Sequence, residues 1–172
     1  QLLGHVEGCC RKVVQQLVAA LRQPDTGSSA YDKLWALRHV GKQSEVTRQW
    51  MREADGMSAL AQVMAAHPSH KKLLEEGAWL AYVLGGVDGL VELLRAGQAM
   101  TDRDGRGHCV QQAAAWAVYE LALQQLERGK AGASEWSQSD VLVALLLDAM
   151  RSRRSPPPLE LLWACCSALR QR

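Results

Sequence analysis

The sequence has no run of alternating apolar and polar residues long enough for a strand, and β-branched residues are scarce beside Ala, Leu and Gln. Both absences argue against β-structure, because strands favour β-branched and aromatic residues on a two-residue period. Charge of one sign is also missing. Lys and Arg total 20 against 18 for Asp and Glu, so no basic excess points to nucleic acid or to an anionic membrane surface. No apolar run approaches the roughly 18 residues that a membrane span requires, and no signal peptide is visible.

Cysteine is odd in number and badly spaced for chemistry. The five cysteines fall as Cys9-Cys10, Cys109 and Cys165-Cys166. An odd number without C-x-x-C spacing fits neither a disulfide framework nor a zinc site. They are expected to be reduced thiols packed as small hydrophobes, which places the chain in the cytoplasm. Catalytic signatures are absent too: there is no G-x-S-x-G, P-loop, H-E-x-x-H or G-x-G-x-x-G. His5 beside Cys9-Cys10 marks no positioned base. No enzyme activity, cofactor, metal or catalytic residue is expected.

What is present is helical repetition. Val14-Leu17-Val18-Leu21, Met57-Leu60-Ala61-Met64, Val87-Leu90-Val91-Leu94 and Val143-Leu146-Leu147-Met150 each carry apolar residues at offsets 0, 3, 4 and 7. This spacing lines one face of an α-helix. A second segment centred on tryptophan follows each stripe: Trp35, Trp79, Trp116 and Trp163. The first apolar position and its tryptophan are 21, 22, 29 and 20 residues apart, and the tryptophans recur at 44, 37 and 47 residues. The long third interval contains a polar, Gly-rich stretch, Thr101–Gly107, expected to be a flexible inter-helix insertion.

Punctuation agrees. Gly56, Gly86 and Gly89 stand near the starts of the stripe-bearing helices, while Pro24, Pro68 and Pro156 to Pro158 separate paired helices, as proline does at helix boundaries. Ser69 and Asp140 are the expected N-caps of the helices that follow them. A further short helix is expected around Val46 to Ala54, with Trp50 in the core. Trp136 lies outside the repeated register.

Gly86-Val-Asp-Gly-Leu-Val-Glu-Leu-Leu94 and Val110-Gln-Gln-Ala-Ala-Ala-Trp-Ala-Val-Tyr-Glu-Leu-Ala122 resemble the second and third helices of an armadillo repeat. A period near 40 residues with two or three helices per unit is shared by armadillo and HEAT repeats. The resemblance implies an all-α, right-handed superhelical stack of about four units, approximately 12–41, 43–84, 85–126 and 138–170, in one domain over 1–172. Each unit would have an apolar face that only a neighbour covers. Arg151-Ser-Arg-Arg154 and Arg170-Gln-Arg172 supply polar residues for one end. Since Gln1 replaces an initiator methionine, a fragment of a larger protein is expected.

In armadillo proteins the third helices line a concave groove. The resemblance therefore nominates Trp35, His39, Trp79, Trp116, Glu120 and Trp163 as groove residues contacting another protein, bound as a peptide or helix. In nuclear-import receptors of this family an asparagine follows each such tryptophan by four residues. Here those positions are His39, Val83, Glu120 and Ser167, so binding of basic nuclear-localisation peptides is not implied. The expected function is a scaffold or adaptor, as a monomer or weak homodimer. The alternative is a regulatory or oligomerisation domain of a larger kinase or ubiquitin ligase, acting through the end faces of the array.

Two metal-like patterns carry little. Asp102-Arg-Asp-Gly-Arg-Gly107 reaches its glycine too early for a calcium loop, which needs glycine at position 6 and glutamate at 12. Pro68 interrupts the spacing that would aim His67 and His70 at one ion.

Overall fold

The computed structural model describes residues 2–127, with side chains described between Gly8 and Leu121 apart from Asp104 and Tyr119. Trp136, Trp163, Cys165, Cys166, Asp140 and the expected unit at 138–170 lie outside the described residues. Six helices and no strand occur among them: α1 Leu2–Leu21, α2 Gly27–Gln43, α3 Glu45–Glu53, α4 Gly56–Ala66, α5 Lys71–Asp104 and α6 His108–Glu127. The protein is all-α over this span, and the short expected helix is α3.

The apolar stripes become the core. Val14, Val18 and Leu21 of α1, all four stripe residues of α4, and Leu90, Val91 and Leu94 of α5 are buried. Leu34, Leu37, Met51, Leu73, Leu80 and Leu93 join them, each less than 2% exposed or at that margin. Removing each such side chain from water is worth roughly 2 kcal/mol. Trp50 is half-buried against this core.

Local signals set the helix ends. Thr26 Oγ1 accepts from Ser29 N–H at the start of α2, and Ser44 Oγ accepts from Thr47 N–H at the start of α3. At the start of α5 the cap is His70 rather than Ser69: its Nδ1 accepts from Leu73 N–H at 3.1 Å. The imidazole also stacks on Tyr31, with ring centroids 6.4 Å apart. Asp55, between α3 and α4, adopts a left-handed conformation with φ 58°. Arg22 at the end of α1 donates to its carboxylate (3.0 Å) and to the carbonyls of Ala54 and Asp55, which holds that turn.

α5 is two helices joined at a sharp bend. Gly86 has φ 62° and ψ −139°, a region that only glycine enters without strain. In one straight helix, residues 81 and 89 would be about 12 Å apart. Here a Cβ added at Gly89 would fall 2.1 Å from the Ala81 carbonyl oxygen, so the arm at 87–104 folds back against the arm at 71–85. By length and hydropathy α5 is apolar enough to cross a membrane, yet 56% of that window is buried inside the protein. Leu73, Leu80, Leu84, Leu90, Val91, Leu93 and Leu94 are among its buried apolar residues, while Trp79 and Tyr82 are only half-buried.

The Thr101–Gly107 stretch is mostly not a loop. Residues up to Asp104 continue α5, Gly105 ends it with φ 73°, and α6 begins at His108. The long third interval in the sequence thus reflects a long helical arm. α5 and α6 close tightly there: a Cβ at Gly107 would lie 1.7 Å from the Gly97 carbonyl oxygen, and Thr101 Oγ1 donates to that same carbonyl.

Neighbouring helices also show direction. Gly27 meets His70, Arg38 meets Glu76 and Gly41 meets Val83. Contact positions rise together along both helices, so α2 and the 71–85 arm run side by side in the same sense. α4 instead forms a hairpin with that arm, through Met64 and Leu60 against Gly77.

Cys9 and Cys10 are exposed, a correction to their expected packing. Cys10 lies one turn before Val14 on the α1 stripe, and among the described residues that stripe is covered from Val14 onward.

Candidate functional site

The tryptophan face is set by the buried stripes beneath it. On α2, Ala30, Leu34, Leu37 and Gly41 point inward, which turns Trp35 about 100° away from Leu34 and outward. Trp35 is 47% exposed. Its ring rests on His39, with centroids 3.9 Å apart. His39 Nδ1 lies 2.8 Å from the Trp35 carbonyl oxygen. A carbonyl only accepts, so Nδ1 carries the proton and donates, and the imidazole is locked beneath the indole.

Trp79 and Trp116 come together. Their rings meet edge to face, with centroids 6.1 Å apart and planes at 85°, the arrangement that aromatic quadrupoles prefer. Tyr82, one turn after Trp79, meets it in the same way at 6.1 Å and 81°. Both tryptophans are half-buried, with one side against the core. Glu120 is half-buried one turn after Trp116 on α6. The structure therefore pairs Trp79 with Trp116 and Trp35 with His39. Trp163 lies outside the described residues.

An ion pair spans the helices between these aromatic groups. Arg38 Nε donates to Glu76 Oε1, with Arg38 one turn after Trp35 and Glu76 one turn before Trp79. Glu76 is 7% exposed, so its charge is tolerated only through this partner.

A cleft of about 540 Å³ opens beside Tyr82, lined by Lys42, Glu45, Arg48, Arg52 and the 82–86 segment. Sequence reasoning did not single it out. A signal was present in α3, where Glu45, Arg48 and Arg52 share one helical face. Arg48 Nη1 donates to the Gly41 carbonyl at 2.9 Å, closing the end of α2. Arg52 Nη1 donates to the Leu84 carbonyl, closing the 71–85 arm. Both guanidinium groups hold Glu45. Hydrogen bonds from Arg52 first, then Arg48, keep its carboxyl below the usual range.

No group of three or more His, Cys, Asp or Glu side chains able to hold a metal occurs among the described residues. Cys109 Sγ points at the carbonyls of Met64 and Arg106, and burial pushes its thiol up, away from the reactive thiolate.

No protein-family model, no curated protein and no solved structure matches the chain.

Proposed function

We propose that the chain is a segment of an armadillo-like helical array that binds another protein, a peptide or a helix, through Trp35, His39, Trp79, Trp116 and Glu120, with Trp163 continuing the series. The observation that carries this reading is the Trp79–Trp116 pair. It joins two tryptophan-bearing helices, the 71–85 arm and α6, and α2, which packs on that arm, carries the open Trp35. Parallel running of α2 and the 71–85 arm supports a repeated unit, and stacked units build extended concave surfaces. Large rigid indoles with part of their surface open are the common anchors of protein interfaces. The reading places the protein in the cytoplasm and assigns it no reaction or cofactor.

Selection of random displayed peptides on the full chain tests the proposal, with each selected peptide re-measured on Trp35→Ala and His39→Ala. Loss of about tenfold in affinity, on the order of 1.4 kcal/mol, supports the tryptophan face. Peptides that bind both variants as they bind the parent chain argue against it.

A second reading is favoured by the part of α1 before Val14, where Cys9, Cys10 and Val13 are exposed, Val13 at 54%. There the end of the array would meet another copy or a neighbouring domain. A mass that rises with concentration and falls back in Val13→Glu supports that contact; a constant monomer mass excludes self-association through it.

A further inference from the structure

The cleft and the tryptophan pair are continuous. Tyr82 lines the cleft and meets Trp79, which meets Trp116. One track thus runs from the first turn of α3, along the 71–85 arm, to α6. Its two ends differ in chemistry.

The cleft end is cationic. Lys42, Arg48 and Arg52 line it with a single carboxylate, Glu45. Glu45 is shared between both guanidinium groups, each of which is also tied to a helix-end carbonyl. Their positions are fixed before any ligand arrives, so little ordering cost is added on binding. A guanidinium carries five N–H donors, and the partners of Arg52 occupy two of them. Lys42 is exposed and has no partner among the described residues. The positive charge is local: the whole chain carries 20 Lys and Arg against 18 Asp and Glu. A confined cationic cleft beside aromatic rings suits a short acidic segment better than a nucleic-acid backbone, which needs a long basic stripe.

We propose that this track receives an extended acidic peptide, with an Asp or Glu side chain in the cleft against Lys42, Arg48 and Arg52 and an apolar side chain on Trp79 and Trp116. The proposal rests on the reading of the tryptophan face as a partner surface, and adds the partner's charge and spacing. Tyr82 lies one helical turn beyond Trp79, about 5 Å along the axis. Tyr82 forms the near edge of the cleft, and an extended chain covers that step in about two residues, so the acidic residue of the peptide stands at least two positions from the apolar one.

The test uses the full chain and two fluorescein-labelled peptide pools read by anisotropy and by tryptophan emission. Both pools carry one fixed Leu; two positions away one has paired Glu and the other paired Lys, with Gly, Ser or Ala elsewhere. The Glu pool binds more tightly, the gap narrows as salt screens the cleft, and Lys42→Glu weakens the Glu pool by about fivefold, the scale of one exposed ion pair. Equal affinity of both pools with a shift in tryptophan emission, or indifference to Lys42→Glu, overturns the acidic partner and leaves the tryptophan surface intact. Binding of neither pool, with unchanged emission, counts against both.

Discussion

Arg38 of α2 and Glu76 of α5 form an ion pair at the seam between two parallel helices, one turn from Trp35 and one turn from Trp79. The pair fixes the register in which the two tryptophan-bearing helices lie. Glu76 is almost fully buried while Arg38 reaches solvent along one edge. Loss of the cation alone leaves a buried carboxylate without compensation. Arg38→Met is expected to destabilise the protein by about 2 kcal/mol, whereas Arg38→Met with Glu76→Leu recovers most of it. Urea unfolding of both single variants and the double variant measures the coupling. A double variant as unstable as the sum of the singles contradicts the assignment.

The bend in α5 gives a paired test at adjacent glycines. Gly86 requires φ 62° and ψ −139°, so Gly86→Ala is expected to cost about 2 kcal/mol through backbone strain. Gly85 belongs to the helix, and a Cβ there meets nothing within 4 Å. Gly85→Ala is therefore expected to be neutral or to stabilise by up to about 1 kcal/mol. Thermal melts of the two variants distinguish a required bend from a generally flexible segment.

Acid unfolding has a defined contribution from the α1–α2 turn. Asp25 accepts from Lys33 Nζ, Ser29 Oγ and Thr26 N–H, and these bonds, Lys33 first, hold its carboxyl at about 2 instead of 3.8. A carboxyl depressed in the folded state stabilises it fully above the unfolded value and loses that contribution as pH falls toward the folded one. The stability difference between the parent chain and Asp25→Asn is thus constant above about pH 5 and shrinks between about pH 4 and 2. Denaturant titrations across that window check it. A difference that does not change there removes Asp25 from the acid response.

Much of the fold was legible because buried faces repeat at helical spacing. Val14, Val18, Leu60, Met64, Leu90 and Leu94 were readable from offsets alone and lie in the core. Proline and the short Glu45–Glu53 helix were equally plain. Thr101–Asp104 misled because polarity marks solvent exposure, which an outer helical turn shares with a loop. His70 was overlooked as a cap because histidine is not among the usual N-cap residues, yet its Nδ1 serves as an acceptor. Cys10 followed the stripe, but a stripe shows only which face is apolar, not how far a neighbour covers it.

The site was legible only in part. Tryptophan positions followed from the repeat, but the edge-to-face meeting of Trp79 and Trp116 depends on the contact between α5 and α6. The cleft draws on α2, α3 and the end of the 71–85 arm, three segments that no local pattern connects.

Acrylamide quenching of tryptophan emission, on the full chain and on Trp35→Phe, Trp79→Phe, Trp116→Phe and Trp163→Phe, tests the central claim most directly. The account predicts that Trp35→Phe removes a strongly quenched component and that Trp79→Phe and Trp116→Phe each remove a partly quenched one. If Trp35, Trp79 and Trp116 all prove shielded in a monomer, these residues belong to the core and no tryptophan-lined binding surface exists.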